Sequence, residues 1–349
     1  MKTAIGAGGA DSGQQRNFHK TVDFVVEAEK LGVDQAWTAE AWGLDAVSTA
    51  GFLAARTERI EIGSGIMQIA ARTPSMTAMS ALSLAALSGD RFLLGLGASG
   101  PQVVEGLQGQ AFHKPLTRMR EVIEIVRMAC RGEKLVYDGE HYVLPRPGGE
   151  GKALRLAQPP NSKLPIWLAT LSPRGLELTG ELADGWLGAC FTPECPEAHL
   201  EHLDRGLAKA GRARRELTLS AGGAIAFVDD PEPLIQRAKP GMAFMLGAMG
   251  SPTTNFYNNA YRRGGFEEVA IRVQRLWIEG KRDEAIHAVP DEMIREVSLI
   301  GDEAHVRAQL RKYIAVGIDV FRIDPHGANA TERLDTLGRA VELIQQETA

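Results

Sequence analysis

The feature that most constrains this chain is an alternation of two periodicities. Short apolar runs with strand character recur along its 349 residues, and each is followed by a stretch with helical spacing. The runs lie at 3–8, 35–39, 91–100, 165–170, 186–189, 217–227 and 319–323, with one more opening at Arg59. Strict strand–helix alternation is the signature of a parallel sheet, because parallel neighbours need a crossover between them. Eight such units fill the chain with no break in composition. The expected fold is therefore α/β: a (β/α)8 TIM barrel forming a single domain over 1–349, with insertions at about 132–163 and 229–300. A doubly wound open sheet is the alternative.

Several function classes are disfavoured. The net charge is -5 and the pI about 6.0, and no Lys/Arg-rich run is present, which argues against a nucleic-acid partner. Cys130, Cys190 and Cys195 have no metal-ligand spacing and read as reduced thiols of a cytoplasmic protein. The N-terminus enters a strand with no apolar leader, and no run is convincing as a membrane span.

The run at Arg59 alternates Ile60 and Ile62 with Glu61 and Gly63, then loses its side chains in Gly63-Ser64-Gly65-Ile66. Glycine inside a strand marks either close approach of backbone to something else, such as a flat ring, or a tight barrel bend. The helix after it, residues 74–88, carries no charge and has no polar face. A helix on the outside of a barrel should show one. Its outer side is expected to be covered by a second copy, in a homodimer.

Chemistry on a barrel sits at the C-terminal strand ends. Here these are 40–42, 65–68, 98–100, 170–174 and Phe227. They offer glycine, alanine, serine and threonine, with no Ser/His/Asp set, carboxylate pair or metal cluster. That poverty suits a large planar cofactor that carries the reactivity itself. Gly95-x-Gly97-x-x-Gly100 matches a dinucleotide pattern, but its glycines begin inside the strand and the next helix is expected only at Pro115. Thr170-Leu171-Ser172-Pro173-Arg174-Gly175 is a better anion site: a helix start with two hydroxyls and one Arg. Ser172 is equally suited to cap that helix, with Pro173 at its first position. Asp45 is the expected cap of the second helix. Trp42 is either a pocket wall or a packing residue, and His19, His113 and His141 read as solvated.

These residues resemble a family. Gly63-Ser64-Gly65-Ile66 with Arg72-Thr73-Pro74, the run 91–100, Pro115-x-x-Arg118-x-x-Glu121 and Ala183-Asp184-Gly185-Trp186 are similar to motifs of the luciferase-like flavin-dependent oxidoreductases. The likeness is strongest to their coenzyme F420-dependent branch, which includes methylenetetrahydromethanopterin reductase. The resemblance implies a homodimeric barrel with insertions and a cis peptide at Gly65–Ile66, bulging behind the middle ring of the deazaflavin. It implies that Gly65, Ile66, Gln68, Ala98, Ser99 and Gly100 line the ring or its side chain. Thr170, Leu171, Ser172, Arg174 and Gly175 would hold the ribityl and phosphate portion. Glu40 would sit near the ring, and is the candidate proton source for hydride transfer between deazaflavin C5 and a small organic substrate. An FMN-dependent monooxygenase of the same family, and a barrel that binds F420 as a carrier or sensor without turnover, are the alternatives.

Overall fold

The computed structural model describes residues 1–8, 18–251 and 253–348. In chain order its elements begin β1 (Lys2–Gly6), α1 (Phe18–Lys30), β2 (Gln35–Thr38), α2 (Ala46–Ala54), β3 (Glu61–Ser64), β4 (Met67–Gln68), α3 (Pro74–Ser88) and β5 (Phe92–Gly97). There follow α4 (Pro101–Gly106), α5 (Pro115–Cys130), β6 (Tyr137–Asp138), β7 (Val143–Leu144), β8 (Ile166–Leu168), α6 (Pro173–Leu182), β9 (Gly185–Leu187) and α7 (Glu197–Lys209). The chain continues through β10 (Thr218–Phe227), α8 (Glu232–Ala248), α9 (Phe256–Tyr261), α10 (Glu267–Ile278), α11 (Arg282–His287) and α12 (Asp291–Val297). It finishes with β11 (Leu299–Gly301), α13 (Glu303–Ala315), β12 (Val320–Pro325) and α14 (Ala330–Thr348).

The strands close on themselves. β1 pairs with β2, β2 with β3, and β5 with β3, β4 and β8. β8 pairs with β9, β9 with β10, β10 with β12 and β12 with β1, all parallel. With β4 continuing β3, this is the expected eight-stranded barrel. Between Ser64 and Met67 the strand is interrupted, and the Gly65–Ile66 peptide is cis.

Inside the barrel, Ala4, Trp37, Leu93, Trp167, Leu187 and Val320 form one buried cluster. The two indoles meet edge-on, with centroids 5.1 Å apart at 63°. A Cβ on Gly63 would lie 2.2 Å from the Trp37 ring, and one on Gly185 2.1 Å from that of Trp167. Gly63 therefore does receive a flat ring, but one of the protein's own.

Polar motif residues act as fasteners. The Arg91 guanidinium donates to the carbonyls of Ala54, Thr57, Ile60 and Ser88, joining the ends of α2 and α3 to β3. Buried Glu121 accepts from the amides of Glu140, His141 and Tyr142 at 2.7–2.9 Å, fixing the antiparallel β6–β7 hairpin against α5. Asp184 accepts from Ile166 N and Arg127 at 2.7 and 2.6 Å, registering β8 against β9.

Four expectations change. α4 starts at Pro101, directly after Gly100, because that glycine takes the extended cap conformation; the wait for a helix until Pro115 was too long. The 229–300 insertion is not all helix: Leu299–Gly301 is a strand pairing with the upper end of β10, and α8–α12 enclose their own apolar core around Met242, Leu246, Val273 and Met293. His141 is not simply solvated, since its Nε2 is buried. The last helix, which apolar spacing predicts over 334–344, runs a turn further at each end, Ala330–Thr348. The sequence Gly8-Gly9-Ala10-Asp11-Ser12-Gly13, which reads as a loop after the first strand, falls mostly outside the described residues.

Helix α3 buries Thr77, Ala78, Ala81, Leu82 and Ala85, and exposes Met76, Met79 and Leu87. Gln158, from the excursion before β8, donates to Met79 O and Ser83 Oγ and covers one edge of that outer face.

Candidate active site

Above the tryptophan layer the barrel is nearly empty of side chains. Strand alternation points every second residue inward. Continuing upward from the tryptophan layer, those positions are Gly6 on β1, Gly97 on β5, and Gly222 and Ala224 on β10, with Ala39 and Ala169 next along β2 and β8 and Arg322 on β12 as the one large side chain among them. Gly6 is exposed to solvent, and a Cβ built there meets no described atom within 4 Å. The result is an open well, floored by Trp37 and Trp167 and walled by backbone.

One side of the well is built by the interrupted strand. Half-buried Ile66 packs on the tryptophan cluster, and its side chain lies against β5; a Cβ on Gly97 would be 2.7 Å from Ile66 Cδ1. Ala98, Ser99 and Gly100 follow at the rim, all half-buried. Ser99 takes the left-handed conformation at φ 59, and Cys190, just beyond β9, does so at φ 55. Such residues cost about 1–3 kcal/mol each and concentrate at functional rims.

Glu40 sits at this rim, but its partners change the role expected of it. Its carboxylate accepts from Arg72 Nη1 and Nη2 at 2.6 and 2.7 Å, from Ala46 N at 3.0 Å and from Gln68 N at 3.2 Å. Burial alone would raise the carboxyl pKa; the Arg72 pair and the two amides more than offset this and hold it below the usual range. Glu40 is thus held as an ionised clamp between the β2 loop, β4 and the start of α2. Gln68 completes the clamp, donating from Nε2 to the Glu40 and Ala41 carbonyls, while its own Oε1 is buried without a partner. Trp42 is 55% exposed, so it is not a packing residue.

The 170–175 segment forms the turn from β8 into α6. Its two hydroxyls are engaged: Thr170 Oγ1 with Thr179 Oγ1 at 2.7 Å, and Ser172 Oγ with Gly175 N at 3.2 Å as the α6 cap. The Thr170 carbonyl accepts from Trp186 Nε1 at 3.1 Å. Gly175 is buried beneath both hydroxyls, and Arg174 is exposed. Ser172 and Pro173 border a cleft of about 530 Å3 whose far side is Phe256, Arg262 and Arg263. The insertion thus brings two arginines to this cleft, Arg262 paired with Glu267 at 2.9 Å and Arg263 bonded to Leu171 O, which sequence spacing alone did not reveal.

The insertion forms a wall over the mouth. Arg263 donates to Leu171 O, Phe256 lies 6.5 Å from Phe112 in the loop after α4, and Tyr261 reaches Cys190. Behind β9, His199 is 1% exposed against Trp186 and Phe191, with neither ring nitrogen partnered; burial pushes its pKa down to about 4. Among the described residues no group of three or more His, Cys, Asp or Glu is placed to hold a metal, and no helix is long and apolar enough to cross a membrane.

A (β/α)8 barrel whose mouth is made of backbone and small residues belongs to the class that positions a planar cofactor and leaves the chemistry to it. The family model described as luciferase-like monooxygenase matches residues 2–320, and the chain belongs to that family. A Mycobacterium tuberculosis protein named as a coenzyme F420-dependent oxidoreductase is 39% identical over 90% of this chain and 93% of its own. The 5,10-methylenetetrahydromethanopterin reductase of Archaeoglobus fulgidus is 28% identical over 93% and 95%. Among solved structures, the coenzyme F420-dependent tetrahydromethanopterin reductase of Methanopyrus kandleri superposes with a TM-score of 0.77, at 22% identity and 97% coverage of both chains.

Proposed function

We propose that this chain is a coenzyme F420-dependent oxidoreductase that moves a hydride between the deazaflavin and a small organic substrate. The carrying observation is the side-chain-poor well above Trp37 and Trp167, wide open at Gly6 and bounded by Ile66 and the 98–100 rim. Its fit to a flat ring is direct, since a Cβ at the inward positions would fill the space. The names of the relatives in this family support the choice of F420.

When bound, the cofactor supplies a two-electron hydride carrier. The chain supplies position. Gly65, Ile66, Ala98, Ser99 and Gly100 form the wall behind the ring. Glu40, Arg72 and Gln68 hold that wall in place. Leu171, Ser172, Arg174 and Gly175, at the α6 N-terminus, take the phosphate portion, with Thr170 bracing the turn from beneath. The insertion excludes water from the substrate side. The barrel and its insertions act as a single domain, and the three free cysteines suit a reducing cytoplasm. Two copies pair through the Met76, Met79 and Leu87 face of α3.

The test is calorimetric titration of the cofactor-free protein with F420 and with FMN. Tight F420 binding and weak FMN binding is the expected result. Preference for FMN would replace this reading with an oxygen-using monooxygenase, and binding of neither would reduce the well to barrel packing. Binding of F420 without hydride transfer to any carbonyl or enone offered would leave a carrier or sensor.

A further inference from the structure

Among the described residues, one inward-facing cation stands across the well from Ile66. On β12, Val320 joins the tryptophan cluster and Phe321 packs outward against the helices, so Arg322 points into the barrel. Its neighbours in register are Ala4 on β1 and Gly222 on β10, neither of which fills the space around it. In the closed order of strands, β12 lies diametrically opposite β5. Arg322 therefore faces the wall that carries Gly97 and the 98–100 rim.

Arg322 is unlike the other sheltered arginines near the strand ends. Arg72 is saturated by Glu40, and Arg91 by four carbonyls. Among the described residues Arg322 donates to no acceptor and has no carboxylate within ion-pair distance, although burial disfavours its charged form. A guanidinium offers five donors in a planar fork, and groups of this kind are almost always paired when sheltered. Its surroundings are polar but cannot neutralise it. Cys190, Tyr257 and Tyr261 stand within its electrostatic reach, and all three titrate above their ordinary range because of burial. Among the described residues Asp324, two residues on and in register with Ala224, is the one nearby carboxylate; it is exposed at the rim.

We infer that Arg322 is the substrate anchor of this site, and that it takes a planar carboxylate. The inference rests on the proposed function, because a ring stacked on the Ile66 wall leaves Arg322 facing its open side. A carboxylate matches the fork with two parallel hydrogen bonds, which a single carbonyl oxygen does not. Tyr257 and Tyr261, both neutral, flank the rest of a small aromatic or unsaturated acid. Asp324 disfavours a second negative charge, so the class is a monocarboxylic acid.

The experiment uses cofactor-free protein, so that it reads Arg322 without turnover. 4-Fluorobenzoate binding is followed by fluorine NMR, with 4-fluorobenzamide as the neutral analogue, and F420 affinity is titrated separately. Wild type should bind the acid and not the amide. R322Q should weaken the acid by about 10- to 100-fold, the worth of charge-assisted bonds to one group. R322K should recover part of the loss, and D324N should tighten the acid by about threefold through removal of a like charge. Circular dichroism and the thermal midpoint of R322Q should match or exceed wild type, since an unpaired buried charge is removed. Equal binding of acid and amide, or an unchanged acid affinity in R322Q, would overturn the assignment. Loss of F420 affinity in R322Q with no effect on the acid would also overturn it, assigning the cation to the cofactor. Failure of the wild type to bind F420 while the acid result holds would sink the proposed function alone.

Discussion

Replacing Arg72 by Met tests whether the Glu40 clamp is structural. The Glu40 side chain is 10% exposed and that of Arg72 17%, so screening by solvent is limited. Arg72→Met removes two charge-assisted bonds and leaves a sheltered carboxylate with only the Ala46 and Gln68 amides. At about 1.5–2.5 kcal/mol per bond, the loss is about 3–5 kcal/mol, the range typical for breaking one side of a sheltered ion pair. A chain of 349 residues melts with an entropy of about 0.7 kcal/mol/K, so the thermal midpoint should fall by about 4–7 °C. Glu40→Gln leaves the more accessible Arg72 unpaired and should cost less, about 2 kcal/mol. The double variant should lose about 1.5–3 kcal/mol less than the sum of the two single losses, which is the coupling of the pair. The coupling has a defined pH window. Glu40 is held below its ordinary pKa, so its contribution is complete above about pH 4.5 and fades as pH falls through the folded value. The assay is scanning calorimetry of the four proteins at pH 7.5 and at successively lower pH. An R72M midpoint within 1 °C of wild type, or additive losses at pH 7.5, would refute the clamp.

Three further outcomes follow from the same geometry. Gly97→Val should push Ile66 into the well and weaken F420 binding by about tenfold or more while costing little secondary structure, read by titration and circular dichroism; undiminished affinity would separate Ile66 from the cofactor. Met76→Asp with Leu87→Asp should convert a dimer to a monomer in sedimentation velocity at micromolar concentration, and a wild type already monomeric there would discard the α3 interface. His199 has a folded pKa near 4 against an unfolded value near 6.5, so wild-type stability should be complete above pH 6.5 and drop by about 3 kcal/mol as pH falls toward 4. His199→Phe should flatten that slope in denaturant titrations, and a parallel slope in the variant would place the lost protons elsewhere.

Much of the barrel was legible because its signals are local. Strand period, helix period and caps such as Asp45 and Ser172 are each written within a few residues, and all reappear in the structure. The three-residue strand β11 was too short to carry a period of its own. The roles of site residues were less legible, because partners decide them. Glu40 reads as a free acid until Arg72 arrives from 32 residues away. Thr170 reads as an anion donor until Thr179, a turn into the next helix, takes its hydroxyl. Arg322 carries no local mark at all. Its meaning comes from the glycines and alanines of other strands, which leave it alone in the well.

The pairing of Lys2 with Val320 also sets a timetable for biosynthesis. β1 is made before β12, and one of its two edges has no partner until β12 follows, about 300 residues later. At roughly 5–20 residues per second that interval is about 15–60 s. Throughout it, an apolar strand edge of the nascent chain stays open to neighbouring polysomes.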